Sequence, residues 1–221
     1  MNMKIDIWTD ILCPWCYIGK REFETALAKF EHKDKVQVTF HSFELDPNAN
    51  KNYDKDIYDM LAEKYQTTRE KSKAMHENVQ NSANAVGLTY HFDILKPTNS
   101  FDAHRLIHLA AKHGKQSEMV EKLSAAYLTE GKHIGDVETL INIAKETGLD
   151  EKETEQMLHS EDLSYEVRTD EQEARQLGIS GVPYFVINRK YGISGGQPNE
   201  VFSEALENIW KEMSLELGAE K

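Results

Sequence analysis

The sequence predicts an α/β fold in which an all-helical domain interrupts a small β-sheet domain. Strand-like apolar runs occur only near the two ends of the chain, at about residues 5–8, 36–45 and 182–194. Between them, from about residue 53 to residue 177, apolar residues recur at helical spacing in one segment after another. The chain has only two cysteines, and both lie at the first transition from strand to helix. The predicted order is therefore βαβ, a long helical insertion, and ββα.

The first fifty residues predict one strand–helix–strand unit. The apolar run at 5–8 is typical of a strand, and residues 14–30 carry apolar side chains at helical spacing. At 36–45, apolar and polar residues alternate at first, which indicates a second strand that ends at Asp46-Pro47.

Capping residues and glycines divide the middle of the chain into six or seven predicted helices. Thr67 with Glu70 forms a capping-box pattern, Asn99 or Ser100 can cap a later helix, and Asp136 can cap another. The glycines that end these helices are Gly87, Gly114, Gly131 and Gly148.

The strand pattern returns after residue 177. A turn-rich lead precedes an aromatic and β-branched run at 182–188, and a second short run at 191–194 follows, which together predict a β-hairpin. Asn199 can cap a final helix, whose apolar stripe we assign to the core rather than to a partner surface.

The segment Cys13-Pro14-Trp15-Cys16 is predicted to be a redox dithiol at a helix N-terminus. The first-turn N–H groups lack intrahelical partners and the helix dipole favours an anion there, so Cys13 should ionise readily and act as the nucleophile. Cys16 lies one turn further on the same face and can resolve a mixed disulfide formed at Cys13. Pro14 suits the first helical turn because it has no N–H, and Trp15 adds a flat apolar surface beside the sulfur.

Two other interpretations of the cysteine pair stay open at this point. His104 and His108, spaced i, i+4 on a predicted helix, could complete a zinc site with the cysteines. The two pairs are far apart in the sequence, however, whereas compact zinc motifs are local, and we predict no metal. The cysteines could also be inert buried residues.

Composition restricts the partners and the compartment. Lys and Arg total 26 and Asp and Glu total 38, which gives a net charge of −12 and argues against binding to nucleic acid or an anionic membrane. The first ten residues hold two aspartates within their only apolar run, so neither a signal peptide nor a membrane span is predicted. We therefore expect a cytoplasmic protein, where a cysteine pair is catalytic, sensing or metal-binding rather than structural.

Four segments, in this order along the chain, resemble those of the DsbA superfamily, whose fold is a thioredoxin fold interrupted by a helical domain. They are D-x-x-C-P-W-C-Y-x-G at 10–19, N-S-F-D-A-H-R at 99–105, G-x-x-G-V-P-x-F at 178–185 and S-G-G-Q-P at 194–198. More narrowly, they are similar to the FrnE-like, cytoplasmic branch. We accordingly place a thioredoxin-like domain at 1–50 and 178–217, a helical insertion domain at 51–177 and a disordered tail at 218–221.

The resemblance also implies roles for residues outside the cysteine pair. Pro183 is expected to be cis and to lie against the cysteines, where the Val182 backbone can pair with an extended substrate strand. Asn99, His104 and Arg105 are candidate groove residues, with a helix cap and a satisfied interior histidine as an equal alternative. The expected substrate-binding residues are Pro14, Trp15, Val182 and Pro183.

The leading functional prediction is a thiol-disulfide oxidoreductase or isomerase that uses Cys13 and Cys16 on protein or low-molecular-weight disulfides. No cofactor is expected, although glutathione could serve as a redox partner or co-substrate. Kappa-type glutathione transferases and 2-hydroxychromene-2-carboxylate isomerases, superfamily relatives with serine where Cys13 stands, suggest a glutathione-dependent transferase or isomerase as the second prediction. A zinc or partner-binding module is the third. Oligomeric state, physiological substrate and direction of electron flow are not predicted.

Overall fold

The computed structural model describes residues 2–219, which form four strands, nine α-helices and a short 3₁₀-helix (Lys33–Lys35). The strands are β1 (Met3–Thr9), β2 (Val36–Ser42), β3 (Tyr184–Ile187) and β4 (Tyr191–Ser194). The helices are α1 (Pro14–Lys29), α2 (Ile57–Lys64), α3 (Arg69–Ala85), α4 (Phe101–Lys112), α5 (Gln116–Leu128), α6 (Val137–Glu146), α7 (Glu151–Leu158), α8 (Ser164–Gln176) and α9 (Asn199–Ala219). Helix α9 includes residues 218 and 219 of the predicted tail, and residues 220 and 221 lie outside the described residues.

The four strands form one mixed sheet in the order β2-β1-β3-β4. Strand β1 pairs in parallel with β2, where Ile7 is opposite Phe40, and antiparallel with β3, where Ile7 is opposite Phe185. Strands β3 and β4 form the predicted hairpin. A parallel pair needs a crossover connection, and α1 supplies it between β1 and β2. The predicted α/β fold with a helical insertion is thus confirmed.

Seven helices, α2 to α8, separate β2 from β3 among the described residues, in line with the predicted six or seven. Four of them begin at a side chain that accepts a first-turn amide: Asp56, Thr68, Asp136 and Asp150. The predicted cap at Thr67 is one residue too early, because it is the Thr68 hydroxyl that accepts from the Lys71 amide. The predicted domain boundaries, after residues 50 and 177, fall in the two connections that flank these helices and stay a prediction.

One apolar core extends through the sheet and the insertion. Phe185 of β3 packs against Phe23 of α1 and Phe202 of α9, with ring centroids 5.5 and 4.7 Å apart. Leu106 of α4 and Leu123 of α5 are fully buried in the same core. Because the two share one core, the insertion packs on the sheet domain.

Of the helices in the described chain, none is long and apolar enough to cross a membrane.

A polar cluster joins β1 and β2 to α4 and α8 on the face of the sheet that carries Trp8. His41 Nδ1 lies 2.8 Å from Asp170 Oδ1, and His41 Nε2 lies 3.1 Å from Asp6 Oδ1. Because ionised carboxylates only accept, both ring nitrogens of His41 must donate and the ring is an imidazolium. Burial opposes this charge, but Asp170 and Asp6 raise the pKa of His41 to about 9. Trp8 stacks on the ring, and His108 contacts the other oxygen of Asp170 at 3.1 Å.

We predict that His41 makes the protein less stable as the pH becomes alkaline. A histidine with a pKa near 6.5 in the unfolded chain and about 9 in the folded chain stabilises fully below about pH 6.5, and this stabilisation is lost as the pH rises through 9. Between these limits the free energy of unfolding, measured in urea, should fall by roughly 3 kcal/mol more in the native sequence than in His41→Gln.

The control for this experiment is His113→Gln, which removes an exposed histidine that contacts the exposed Glu153. Its free energy of unfolding should follow the native sequence at every pH. If the native protein and His41→Gln lose the same stability over this range, the imidazolium at His41 does not stabilise the fold.

Candidate active site

The turn between β1 and α1 places both cysteines at the start of a helix. Strand β1 ends at Thr9, and Cys13 is the N-cap of α1, with Pro14 at the first helical position. The Cys13 amide donates to the Asp10 carbonyl over 3.1 Å, and the Cys16 amide donates to the Cys13 carbonyl over 3.1 Å. The positive end of the helix dipole therefore lies at Cys13, where it favours a thiolate.

Both thiols are free, and they lie next to the segment that precedes β3. Cys13 and Cys16 are 6% and 5% exposed, so both sulfurs are largely shielded from bulk water. The Cys13 thiol donates to the Val182 carbonyl over 3.7 Å. The Val182–Pro183 peptide bond is cis, which agrees with the expectation from the resemblance. Residues from opposite ends of the sequence thus meet at the reactive sulfur.

The two thiols have different surroundings. The main-chain amide of Asp10 donates to the Cys16 sulfur over 3.5 Å. Burial above all, and then the hydrogen bond and charge of the neighbouring Cys13, raise the pKa of Cys16 well above its ordinary value. Cys16 therefore favours the protonated thiol, which suits a group that acts in a second step.

Two glycines allow the Pro183 segment to approach the helix. A Cβ on Gly19 would lie 3.0 Å from Pro183 Cγ and 3.1 Å from Gly196 Cα. A Cβ on Gly196 would lie 3.1 Å from the Trp15 carbonyl oxygen. A side chain at either position would displace Pro183 or the helix by a few tenths of an ångström. Both glycines occur in the motifs quoted above, but the motifs do not reveal this packing role.

An apolar cavity of about 310 Å³ opens beside Cys13, with walls from α1, α2 and α3. Four large apolar side chains of its lining are 42 to 55% exposed, and we call them the apolar rim: Trp15, Leu45, Tyr65 and Met75. Deeper lining residues include Ile57, Leu61, Val79, Phe92 and Leu95. A pocket of this size and polarity suits an apolar substrate group held next to the reactive sulfur.

One histidine in the cavity wall was not predicted. His76 Nδ1 lies 2.7 Å from the Ser72 carbonyl oxygen. A carbonyl can only accept, so Nδ1 carries a proton, and in the neutral ring Nε2 is the unprotonated nitrogen. Burial lowers the pKa of His76, and the rings of Tyr58 and Phe92 pack edge-on against it. The cavity beside Cys13 therefore contains a neutral imidazole.

The three predicted groove residues do not line this cavity. The Asn99 side chain accepts from the first amide of α4 and donates to Glu44 over 3.3 Å. His104 is fully buried, with Nε2 3.4 Å from Asp10 Oδ1. Arg105 is buried and joins α4 to the end of α7 and to the segment between α7 and α8. Its guanidinium donates to the carbonyl oxygens of Met157, Ser160 and Asp162.

These positions favour the alternative of a helix cap and an interior histidine for Asn99 and His104. His104 differs from that alternative in one respect, because neither of its ring nitrogens completes a hydrogen bond within the part of the chain that the structure describes. Among the predicted substrate-binding residues, Pro14 and Trp15 line the cavity. Val182 contacts Cys13 as described above.

Asp10 anchors the turn that carries the cysteines. Its Oδ1 accepts from the Leu12 amide at 3.1 Å, and its Oδ2 accepts from the Leu45 amide at 2.8 Å. Burial opposes ionisation, yet the nearby His104 and these two amides hold the pKa of Asp10 below its ordinary value. A buried, charged carboxylate thus joins the start of α1 to the segment that follows β2. Sequence analysis did not identify it, because its partner Leu45 is distant in the sequence.

A second buried carboxylate, Glu44, lies in the same region. One nitrogen of Arg168 contacts Glu44 Oε2 at 2.5 Å and Glu171 Oε2 at 2.8 Å. Burial raises the pKa of Glu44 although the hydrogen bond from Arg168 and the charge of His104 oppose the rise. Helix α8 is therefore tied to the segment after β2 by an arginine shared between two buried acids.

The zinc interpretation requires the cysteines and the histidines of α4 to meet. Among residues 2–219, the side chains close enough to share a metal ion are His41, Asp170 and Glu173, and neither cysteine belongs to this group. His41 and Asp170 are already bonded to each other, and Glu173 pairs with Arg189. His104 and His108 contact different carboxylates, so the structure does not assemble the proposed site.

Comparison with known proteins places the chain in a family. The model of the DSBA-like thioredoxin domain family matches residues 4–207. The chain belongs to this family. A probable DsbA oxidoreductase of Streptomyces coelicolor is 41% identical and superposes with a TM-score of 0.91, over 96% of this chain and 91% of that one.

Two further proteins match this DsbA-like protein along nearly its whole length. The uncharacterized protein YwbO of Bacillus subtilis is 27% identical over 213 residues, which cover 96% of this chain and 99% of that one. The cytosolic disulfide reductase DsbM of Pseudomonas aeruginosa shares the fold, with a TM-score of 0.69 at 18% identity over 94% of this chain and 98% of that one. The similarity therefore includes the helical insertion as well as the sheet domain.

We predict that the two thiols of this DsbA-like site react at different rates. At neutral pH, iodoacetamide should modify the remaining Cys13 of Cys16→Ser at least about tenfold faster than the remaining Cys16 of Cys13→Ser, because only thiolates react and Cys16 is held protonated. Quenched samples analysed by intact mass give both rates. Equal rates, or a faster Cys16, would show that the environment does not separate the thiols.

Proposed function

We propose that this chain is a dithiol-disulfide oxidoreductase in which Cys13 attacks the substrate disulfide and Cys16 resolves the mixed disulfide. The position of the Cys13 sulfur carries the proposal: it lies at the positive end of α1, 3.7 Å from the Val182 carbonyl, and at the wall of an apolar cavity. A substrate at this sulfur can contact a strand-like main chain on one side and an apolar surface on the other.

In the first step, the Cys13 thiolate forms a bond to one sulfur of the substrate disulfide, and the other sulfur leaves as a thiolate. The N-terminus of α1 stabilises the attacking thiolate. The main chain at Val182 offers hydrogen bonds to an extended substrate regardless of its side chains. This step leaves the substrate covalently attached to Cys13.

In the second step, the Cys16 sulfur bonds to Cys13, and the substrate leaves with the electron pair of the bond that breaks. The substrate is then reduced, and the cysteine pair is a disulfide. Because both exchanges are reversible, the same residues can oxidise a substrate dithiol. The direction depends on the potential of the Cys13–Cys16 couple relative to the substrate and the thiol pool.

The substrate we propose is a polypeptide with apolar residues near its cysteine. The apolar rim exposes four large side chains around the reactive sulfur. Clustered exposed apolar surface on a protein of net charge −12 is typical of a site that a partner covers. A small disulfide can reach Cys13 without covering the rim, so the rim distinguishes polypeptide substrates from small ones.

The finer assignments form part of the same proposal. We assign the chain to the FrnE-like branch and to the cytoplasm, on the support of the four sequence segments and of the fold shared with DsbM, which is described as a cytosolic disulfide reductase. Glutathione is the small thiol we propose as redox partner, because DsbM has this fold in a structure with glutathione.

A glutathione-dependent isomerase or transferase is the second candidate. Its support is the fold shared with a 2-hydroxychromene-2-carboxylate isomerase and the neutral His76 in the apolar cavity, which could accept a proton from a bound aromatic molecule. Cysteine rather than serine at position 13 argues against it. Glutathione-dependent conversion of an aromatic substrate that persists in Cys16→Ser would favour this candidate.

We predict distinct failures for the two cysteine variants. Cys13→Ser should abolish reduction of a protein disulfide by glutathione, because no nucleophile remains at the helix N-terminus. Cys16→Ser should accumulate a mixed disulfide with the substrate, because the neighbouring thiol that would displace the substrate is gone. Turnover assays and intact mass measure the two effects. Normal turnover by Cys13→Ser would falsify the proposed mechanism.

We predict that the apolar rim affects polypeptide substrates selectively. Replacing Trp15 and Met75 together by alanine should lower kcat/KM for a disulfide-bonded polypeptide by about tenfold or more, since each side chain loses apolar contact area. The rate with bis(2-hydroxyethyl) disulfide should stay within about twofold of the native rate. The control is Leu177→Ala, which removes a similarly exposed apolar side chain outside the cavity. Equal losses with both substrates would argue against a polypeptide site at the rim.

A further inference from the structure

One buried histidine of the insertion has polar atoms without partners. His104 of α4 has no exposed surface, and neither ring nitrogen completes a hydrogen bond within residues 2–219. An unpaired polar atom in a protein interior costs free energy, and most buried polar groups avoid that cost. The position of this ring therefore calls for a physical reason.

The ring of His104 lies against the carboxylate of Asp10. Nε2 is 3.4 Å from Oδ1, about 0.5 Å longer than an ordinary N–H···O hydrogen bond. Both side chains are fully buried. Little water screens the attraction between an imidazole N–H and a carboxylate in such a place, so this contact acts on the carboxylate although it is too long for a full hydrogen bond.

Asp10 in turn contacts the resolving thiol through its main chain. Its amide donates to the Cys16 sulfur over 3.5 Å, while its carboxylate is held by the amides of Leu12 and Leu45. An N–H directed at a sulfur favours the thiolate over the thiol. The same residue thus receives His104 at its side chain and reaches Cys16 with its backbone.

We propose that His104 is a positioning residue for the resolving step: through the Asp10 carboxylate it holds the Asp10 amide on the Cys16 sulfur. This inference rests on the proposed function, and it gives the helical insertion a role in the chemistry as well as in substrate binding. Helix α4 thereby influences how fast the mixed disulfide is resolved, although it does not touch the substrate.

The step at issue is the attack of Cys16 on the mixed disulfide. Cys16 gives up its proton, which passes to solvent or to the leaving thiolate, and its sulfur bonds to Cys13. The bond between Cys13 and the substrate sulfur breaks, and its electron pair leaves with the substrate. The Asp10 amide stabilises the Cys16 thiolate before the attack, so losing it should slow this step and leave the earlier attack by Cys13 unchanged.

Several titratable or charged groups surround His104 and Asp10, and each belongs to an element packed around them. Cys16 of α1 and Tyr127 of α5 interact with Asp10, and Glu44 after β2 interacts with His104. Arg168 and Glu171 of α8 in turn interact with Glu44. A pH profile of the resolving step therefore has to be compared between variants that leave all of these groups in place.

The experiment uses dithiobis(nitrobenzoate) in a stopped-flow instrument. Release of the first thionitrobenzoate reports attack by Cys13, and release of the second reports resolution by Cys16. In His104→Leu, the second release should be about tenfold slower at neutral pH, and its pH profile should shift upward by about one unit. The first release should stay within about twofold of the native rate.

Two further variants separate positioning from folding. His104→Gln keeps an N–H donor near the position of Nε2 and should restore most of the second rate. His108→Leu is the matched control: it removes a histidine one turn further along α4 that contacts Asp170 instead of Asp10, and it should change neither release. If His104→Leu does not fold, His104→Asn is used in its place. The asparagine side chain is polar, but its amide is too short to reach Asp10.

Each outcome of the stopped-flow experiment supports or overturns a stated role. An unchanged second release in His104→Leu overturns the proposal, and so does an equal slowing in His104→Leu and His108→Leu, which indicates a loss of stability alone. If the native protein releases no thionitrobenzoate, the proposed function fails for reasons independent of His104. If the native protein shows both phases and only His104→Leu delays the second, the positioning role is established.

Discussion

The geometry of the active site depends on the hydrogen bonds that the buried carboxylate of Asp10 accepts. This carboxylate joins the turn after β1 to the segment after β2 through the amides of Leu12 and Leu45. A carboxylate in a protein interior is costly unless its oxygens are bonded, and here both oxygens accept a main-chain N–H. The turn that presents Cys13 and Cys16 is therefore held by a charged group with fixed partners rather than by apolar packing alone.

The helical insertion is part of the site. Helices α2 and α3 supply walls of the apolar cavity, α4 supplies His104 beside Asp10, and α8 supplies Arg168 to the buried Glu44. The sheet domain supplies the two thiols and the Val182 main chain. This division indicates that the sheet domain carries the thiol chemistry, while the insertion shapes the surface that a substrate meets.

Charged side chains, with buried carboxylates at the centre, fix the insertion to the sheet at two places. His41 bridges Asp6 of β1 and Asp170 of α8 on one side, and Arg168 bridges Glu44 and Glu171 on the other. In such clusters the removal of one partner leaves another charge uncompensated in the interior, so they tolerate substitution poorly. They orient α8 more specifically than apolar contacts would, because each bond requires a particular atom at a particular distance.

The sequence by itself determined the fold class and the position of the cysteine pair at the start of a helix. Strand and helix periodicity are local patterns, and the two cysteines of Cys13-Pro14-Trp15-Cys16 are only three residues apart. Both features could therefore be predicted without a structure. The helix cap at Thr68 was missed by one residue, because two adjacent threonines differ only in backbone conformation. Only the tertiary structure decided that Asp10 meets His104 and Leu45, that His76 enters the cavity and that Arg105 lies away from it. Those contacts join residues distant in sequence, and their geometry is set by packing between elements, which no local pattern encodes.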